Sequence, residues 1–264
     1  MLKKGQSGKP TFKPLNRNRD KTMNTFSIAA VAIFAAQAAA AQDAWTYTTT
    51  IYGWLPGMTT AIETDFGTIE GESSGSDALA NLDMVFMGSF AAQQDRWGLV
   101  GDLVYLDLSN RKGTPFNLFG SADVNVTATM FSGYALYRVT SDPAVDFDIG
   151  AGFRAFDLGV DLALSADILP AASQSVGGSW IDPLIAARVA VPLNENWTLT
   201  GFADWGGTSS DDQTWQVFGS VKYAFNEKWS TQLGYRYMEI SKDLAGRDVT
   251  VDLGGPVIAV SLKF

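Results

Sequence analysis

Charged side chains alternate with apolar ones along several segments, and this spacing is the first indication of chemistry. Residues 145–153 read VDFDIGAGF, so Asp146 and Asp148 share one face and the large apolar residues share the other. Polar faces that mix acids and bases can form a network of buried ion pairs, or they can line a thin water-filled path. The charged residues on these faces are Asp102, Asp146, Asp148, Arg154, Asp182, Arg188, Asp204, Lys222 and Arg236.

Several kinds of catalytic and metal site are excluded by composition, because the chain has no histidine and no cysteine. Ser-His-Asp and Cys-His nucleophiles, histidine-ligated zinc and disulfides are all absent. Acidic residues such as Asp211 and Asp212 match no calcium-loop spacing, and we interpret them as solvated loop charge. We therefore expect no enzyme activity, no cofactor and no bound metal.

The charge balance argues against nucleic acid as a partner. The chain has 19 Lys and Arg against 28 Asp and Glu. Seven of the basic residues and one of the acidic residues precede Gln42, so the remainder has 12 basic and 27 acidic residues, a net charge of −15. Binding to a phosphate backbone requires clustered Lys and Arg, which this part of the chain lacks.

Period-2 alternation, rather than a period of 3.6, dominates from Trp45 onward and predicts an all-β fold. Taking turn-forming clusters as breaks, the sequence predicts ten strands, with eight or twelve as alternatives because 45–82 could hold an extra hairpin. The predicted strands are 45–62, 83–94, 97–108, 122–140, 144–164, 178–193, 197–208, 213–225, 229–243 and 249–264.

The connections between these strands alternate between short turns and longer loops. This pattern, together with the apolar faces, predicts an antiparallel transmembrane β-barrel of the bacterial outer membrane, with both termini at the periplasmic rim. A periplasmic aromatic girdle is expected at Trp45, Trp97, Trp197, Trp229 and Phe264. Phe264 closes an alternating segment, and it resembles the signal that barrel-insertion machinery recognises. We expect that machinery, membrane lipid and lipopolysaccharide to be the partners of a monomer.

The N-terminal residues are expected to lie outside the fold. Residues 23–41 include an uncharged, alanine-rich run that closes with Ala39-Ala40-Ala41, which is typical of a signal peptide. Residues 1–22 are basic, and they are either an extension of that signal or the result of a mis-assigned start before Met23. The barrel is expected to span 42–264.

Two predicted strands change the phase of their alternation. In 145–164 the apolar positions move from odd to even after Ala155, and in 249–264 they move near Gly254-Gly255-Pro256. Such a change predicts a β-bulge, or an upper strand section that has left the bilayer. We also expect Pro183 to sit at a bulge, and Arg236 to pair with Asp204 or Asp182.

Six short stretches, in this order, resemble a proteobacterial family of small outer-membrane β-barrel proteins, largely uncharacterised. They are Tyr52-Gly-Trp-Leu-Pro-Gly57, Trp180-Ile-Asp-Pro183, Asp204-Trp-Gly-Gly207, Asp212-Gln-Thr-Trp-Gln216, Gly234-Tyr-Arg-Tyr237 and Gly255-Pro256 before Phe264. The resemblance implies outer-membrane localisation and a barrel fold, and it supplies no catalytic residues.

Function is expected to be structural or surface-interactive, with a lumen filled by side chains, because ten strands enclose little more than their own side chains. The alternative is a narrow channel for ions or small solutes. A weaker alternative is a soluble periplasmic β-sandwich or lipid-binding barrel.

Overall fold

The computed structural model describes residues 45–64, 67–76, 82–112, 119–140, 144–167, 171–209, 212–243 and 248–264. These residues lie in one compact unit, Asp43–Phe264. The strands are β1 (Thr46–Trp54), β2 (Gly57–Thr64), β3 (Gly67–Ser73), β4 (Leu82–Gln94), β5 (Trp97–Lys112), β6 (Phe119–Arg138), β7 (Asp146–Ala166), β8 (Ala172–Pro192), β9 (Trp197–Gly207), β10 (Gln213–Ala224), β11 (Trp229–Asp243) and β12 (Asp248–Lys263).

The strands form one antiparallel sheet that closes on itself. Consecutive strands pair from β4 to β12, and β1 joins β4 to β12. β1 and β2 both pair with β12. β1 pairs with the C-terminal half of β12 and β2 with its N-terminal half, so the two strands occupy one position in the wall. The barrel therefore has ten strand positions, which confirms the predicted fold class and excludes a two-sheet sandwich.

One strand, β3, lies outside the ten strand positions, within the region where the sequence allowed an extra hairpin. The predicted strand 45–62 is interrupted at Leu55-Pro56, where proline has no backbone donor for a ladder. The Leu55 amide instead donates to the Pro256 carbonyl at 3.1 Å. β2 then turns back as β3, which pairs only with β2 among the described strands.

The strands differ in length by more than a factor of two. About 9–11 residues cross a bilayer as a tilted strand, and β1 and β9 match that length with 9 and 11 residues. β6, β7 and β8 have 20, 21 and 21 residues. Because short turns fix one end of these strands at the periplasmic rim, their additional length lies on the side of the longer loops.

The apolar face changes sides part-way along the long strands. In the N-terminal half of β7, nearest the periplasmic rim, the outward residues include the exposed Ile149 and Phe153. Above Ala155 the outward residues include Asp157 and Asp161, while Phe156 is buried inside the barrel. The wall is thus apolar outside where it meets lipid and polar outside where it meets water.

The predicted bulges at these phase changes are wrong. β7 pairs with β8 in one unbroken register from Asp146↔Ala190 to Leu164↔Ala172, and β11 pairs with β12 equally regularly. The phase changes because the burial requirement reverses where the strands leave the bilayer, which was the alternative explanation. Pro183 is not at a bulge either. It lies where β8 stops pairing with β9, so its missing donor faces no partner strand.

The predictions for residues 1–41, the basic segment and the signal peptide, lie outside the described residues. In the part of the chain that is described, no helix is both long enough and apolar enough to cross a membrane.

Candidate functional site in the barrel lumen

Arg154 lies at the centre of the lumen, and its side chain is completely buried. Its Nε donates to Ser132 Oγ at 3.1 Å, its Nη1 to Thr214 Oγ1 at 2.9 Å, and its Nη2 to Tyr134 Oη at 3.1 Å. Nη2 also forms an ion pair with Asp204 Oδ2 at 2.7 Å. Four strands, β6, β7, β9 and β10, are therefore connected through one guanidinium group.

A second arginine extends this network across the lumen. Arg236 Nε donates to Gln216 Oε1 at 2.7 Å, and Gln216 Nε2 donates in turn to Asp204. Arg236 Nη1 lies 3.4 Å from Asp102 Oδ1, and Tyr52 Oη donates to both carboxylate oxygens of Asp102 at 2.9 and 3.0 Å. We call the set Asp102, Arg154, Asp204, Arg236, Gln216, Tyr52, Tyr134, Ser132 and Thr214 the polar layer.

The expected pairing of Arg236 with Asp204 or Asp182 is wrong. Asp204 Oδ2 is bound by Arg154 and Gln216, so Gln216 stands between Asp204 and Arg236. Arg236 instead reaches Asp102 on β5, which is four positions away around the wall, so the ion pair crosses the lumen.

A separate ion cluster lies at the periplasmic end of the lumen. Asp148 is buried and accepts hydrogen bonds from Arg138 Nε at 2.9 Å and from Arg188 Nε at 2.8 Å. Arg138 also pairs with Asp146 at 2.9 Å. These four residues join β6, β7 and β8 just above their short turns.

The remaining two candidates stand apart from both clusters. Asp182 accepts a hydrogen bond from Trp180 Nε1 at 3.1 Å, and its other oxygen, although buried, has no hydrogen-bond donor in the described structure. It lies opposite Arg154 in register, but the Arg154 hydrogen bonds go elsewhere. Lys222 is half-buried on β10 and forms no ion pair with any described residue.

An apolar cluster closes the lumen on the side away from the periplasm. Its buried members are Trp54, Met87, Val104, Met130, Phe156, Met238 and Val257. The guanidinium carbon of Arg236 lies 4.7 Å from the Trp54 ring centroid, so the cluster rests directly on the polar layer. We call this cluster the apolar layer.

A cavity of about 210 Å³ lies between the polar layer and the periplasmic ion cluster. Asp102, Gln216 and Arg236 line its upper part, and Leu136 and Arg188 line its lower part. This cavity lies below the polar layer.

Aromatic side chains occupy the periplasmic rim. Trp97 packs against Tyr137 at 5.0 Å between ring centroids, Trp197 against Tyr223 at 4.8 Å, and Phe264 against Tyr47 at 5.9 Å. Trp97, Trp197, Trp229 and Phe264 are exposed on the outside of the wall, and Trp45 is half-buried.

The neutral members of the polar layer were absent from the sequence candidates. Tyr134, Gln216 and Ser132 occupy the same parity as the charged residues of their strands, so the alternation itself marks them. Tyr52 and Trp54 belong to the first of the six stretches, and both contact Arg236 from the fifth. The first and fifth stretches therefore meet at one place in the lumen.

One ion pair links a loop to a strand end above the barrel. Asp212 Oδ2 lies 3.1 Å from Lys242 Nζ, and Asp212 Oδ1 accepts the Asp243 amide at 3.1 Å. The hydrogen bond from Lys242, reinforced by the Asp243 amide, holds the pKa of Asp212 below its usual range.

Known structures share this architecture at low sequence identity. The outer membrane protease OmpT from Escherichia coli has a TM-score of 0.57 and 9% identity, over 86% of this chain and 99% of that one. The chain has the fold of an outer-membrane β-barrel. The translocator domain of the autotransporter NalP from Neisseria meningitidis scores 0.37 at 12% identity, over 85% and 90% of the two chains. Ail from Yersinia pestis scores 0.37 at 9% identity, over 84% and 100%. No family model and no curated protein matches the sequence.

The closed wall and its apolar exterior agree with this fold. A barrel leaves no unsatisfied sheet edge over most of its circumference, and the lower outward residues such as Ile185, Leu233 and Ile258 are more than 60% exposed. Such a surface is stable only against hydrocarbon, so the protein resides in the outer membrane.

Proposed function

We propose that this barrel is a monomer with a structural or surface-interactive role and that it does not conduct solutes. The observation that carries the proposal is the occupied lumen. A solute entering from the periplasm would meet the polar layer, whose two arginines are buried and hydrogen-bonded, and then the apolar layer. Crossing both would require breaking ion pairs and dewetting an apolar constriction.

The surface role is supported by the three long strands. β6, β7 and β8 are about twice as long as a bilayer crossing requires, so they carry polar outward faces beyond the membrane. Asp157 and Asp161 lie on that outward face, and lipopolysaccharide is the lipid that would surround it. A barrel that only anchored itself would not need this extension.

We further propose that the protein is not an enzyme. OmpT is a protease, but no residue can be carried over at 9% identity. The hydroxyls of Ser132 and Thr214 both accept hydrogen bonds from Arg154, a cation that cannot act as a general base.

A narrow channel is the second candidate, and the cavity of about 210 Å³ favours it. It is lined by Arg188, Arg236 and Asp102, and water could reach the polar layer through it. Conduction would then require the apolar layer to open.

Planar-bilayer recording of the refolded protein distinguishes these candidates. We expect no channel steps from the wild type, and steps from a Phe156→Ala, Met238→Ala variant that truncates the apolar layer. Leu233→Ala with Ile258→Ala is the matched control, because it truncates two lipid-facing residues, and it should remain silent. Heat-dependent gel mobility verifies folding of each protein. Reproducible steps from the wild type would overturn the proposal and establish the channel.

A further inference from the structure

Among the described strands, the barrel wall is open on one side, between β1 and β4. These strands pair from Thr46↔Gln93 to Ile51↔Gly88 and then separate. β1 continues to Trp54 paired only with β12, and β4 runs from Met87 towards Leu82 paired only with β5. Continued in register, Tyr52, Gly53 and Trp54 would have faced Met87, Phe86 and Val85.

One backbone amide at this opening, that of Trp54, has no carbonyl acceptor on β4. The Trp54 amide donates to Met87 Sδ at 3.2 Å, although a carbonyl of β4 would have accepted it in a continuous ladder. A thioether sulfur is a weak acceptor. Open sheet edges facing lipid are otherwise avoided in membranes, because the bilayer core holds no water to bond the unpaired backbone groups. An opening retained at this cost suggests a use.

The space between the separated strands is apolar. It has a volume of about 410 Å³, within the range typical of small-molecule sites, which is about 300–1,000 Å³. Leu106, Leu108 and Val85 line it from β4 and β5, and Ile51 and Gly53 line it from β1. Ile51 is 64% exposed, so the space opens to the outside of the wall.

The opening lies in the upper part of the apolar belt. Phe86, at its edge, pairs with Tyr105 in the outward row of β5, and Asp107 follows in that row. An outward aspartate marks the level where lipid gives way to water, as Asp157 does on β7. The opening therefore faces the hydrocarbon of the outer leaflet, where the available molecules are lipid acyl chains.

We propose that this opening, the β1–β4 pocket, binds one acyl chain of an outer-leaflet lipid that enters sideways from the membrane. An acyl chain that enters the pocket would exchange its lipid neighbours for apolar side chains, at little cost in free energy. Trp54 lines the pocket, and its buried indole Nε1 has no acceptor among the described residues. An ester or hydroxyl oxygen of the lipid would supply one. Trp54 and Met87 of the apolar layer form its inner wall, and the site is distinct from the cavity below the polar layer.

Methyl NMR of the wild-type protein in nanodiscs tests the proposal without a mutation. We expect intermolecular NOEs from acyl-chain protons to the methyl groups of Leu106 and Leu108. Leu99, an exposed outward residue of the same strand, is the positive control, and the buried Val104 is the negative control. If the Leu106 and Leu108 methyls behave like Val104, the proposal is overturned. With chain-deuterated lipid the NOEs must disappear; if they persist, the occupant is a retained molecule other than membrane lipid, and the proposal fails.

A filling variant adds an independent readout. Only Ile258 Cγ2, at 3.9 Å, would lie within 4 Å of a Cβ at Gly53, so Gly53→Phe can place its ring at the outward mouth of the pocket. We expect this variant to lose the Leu106 NOEs and to keep those of Leu99. Equal Leu106 signals in both proteins, with the variant folded, would also contradict the proposal.

Discussion

Arg154 illustrates what a buried charge requires inside a narrow barrel. The Arg154 side chain has no exposed surface, and its hydrogen bonds to four residues replace hydration. A well-paired buried ion contributes little net stability compared with an apolar substitute, but an unpaired one is costly. The free energy of unfolding should therefore fall much more when one member of an ion pair in the polar layer is removed than when both are removed.

Arg154→Met tests this asymmetry. The substitution leaves Asp204 buried without its cation, and we expect a loss of about 3–5 kcal/mol in the free energy of unfolding. Unfolding by denaturant in lipid vesicles measures it. Adding Asp204→Leu should recover most of the loss, since the orphaned charge is then gone. Purely additive losses in the double variant would show that the two groups are not coupled.

The hydrogen bond from the Asp243 amide to Asp212, above the membrane, should depend on pH. The pKa of Asp212 is lowered, so its contribution is present above the usual aspartate range and is lost as pH falls through the folded-state pKa. We expect the Asp243 amide, relative to its intrinsic exchange rate, to lose protection as the pH falls from about 6 to about 2, with the loss lying below the usual aspartate pKa of about 3.9. The Lys263 amide, which donates to the Lys228 carbonyl, is the control. Asp212→Ala, which removes the accepting oxygen, should lower the protection of the Asp243 amide at both values, and equal protection at both pH values in the wild type would contradict the assignment.

At the scale of the strand, β7 shows how one regular element serves two environments. Its register is continuous, yet its outward row passes from Phe153 to Asp157 within four residues. Alternation identified both halves of the strand, whereas the sequence alone could not decide between a bulge and a water boundary. Both produce the same change of phase, and only the pairing partners distinguish them.

The two halves of this outward row should tolerate charge differently. Ala151 and Ala163 are both exposed and outward on β7, below and above the boundary. Ala151→Lys should cost about 2–4 kcal/mol, because the ammonium enters hydrocarbon, and Ala163→Lys should cost almost nothing. Equilibrium unfolding in vesicles measures both. Similar costs at both positions would place the boundary elsewhere.

At the scale of the whole molecule, the sequence predicted the class, the closed barrel, the ten positions and most strand limits, because a period of two is a strong signal over 10 to 20 residues. Contacts across the lumen were not predictable. Arg236 and Asp102 are 134 positions apart and come together through closure, which no local pattern encodes. The β1–β4 opening was equally hidden, since Tyr52-Gly53-Trp54 alternates like any paired strand.

The proposed recognition of Phe264 by the barrel-insertion machinery can be tested during insertion into the membrane. We expect Phe264→Ala to slow insertion by the purified barrel-insertion machinery while leaving the folded barrel nearly as stable. Phe225→Ala is a matched control, because Phe225 is an equally exposed phenylalanine beside a short turn. Insertion rates measured by protease protection compare the two. Equal rates for both variants would remove the role assigned to Phe264.

The reversal of the apolar face along β6, β7 and β8 also limits how such a chain can change length. Inserting or deleting one residue low in β7 would shift the parity of everything that follows in the strand. Asp157 and Asp161 would then turn inward, and Phe156 and Leu158 would turn out into water, so both environments would be violated together. Length variation should therefore be confined to loops, or should occur in pairs of residues within strands.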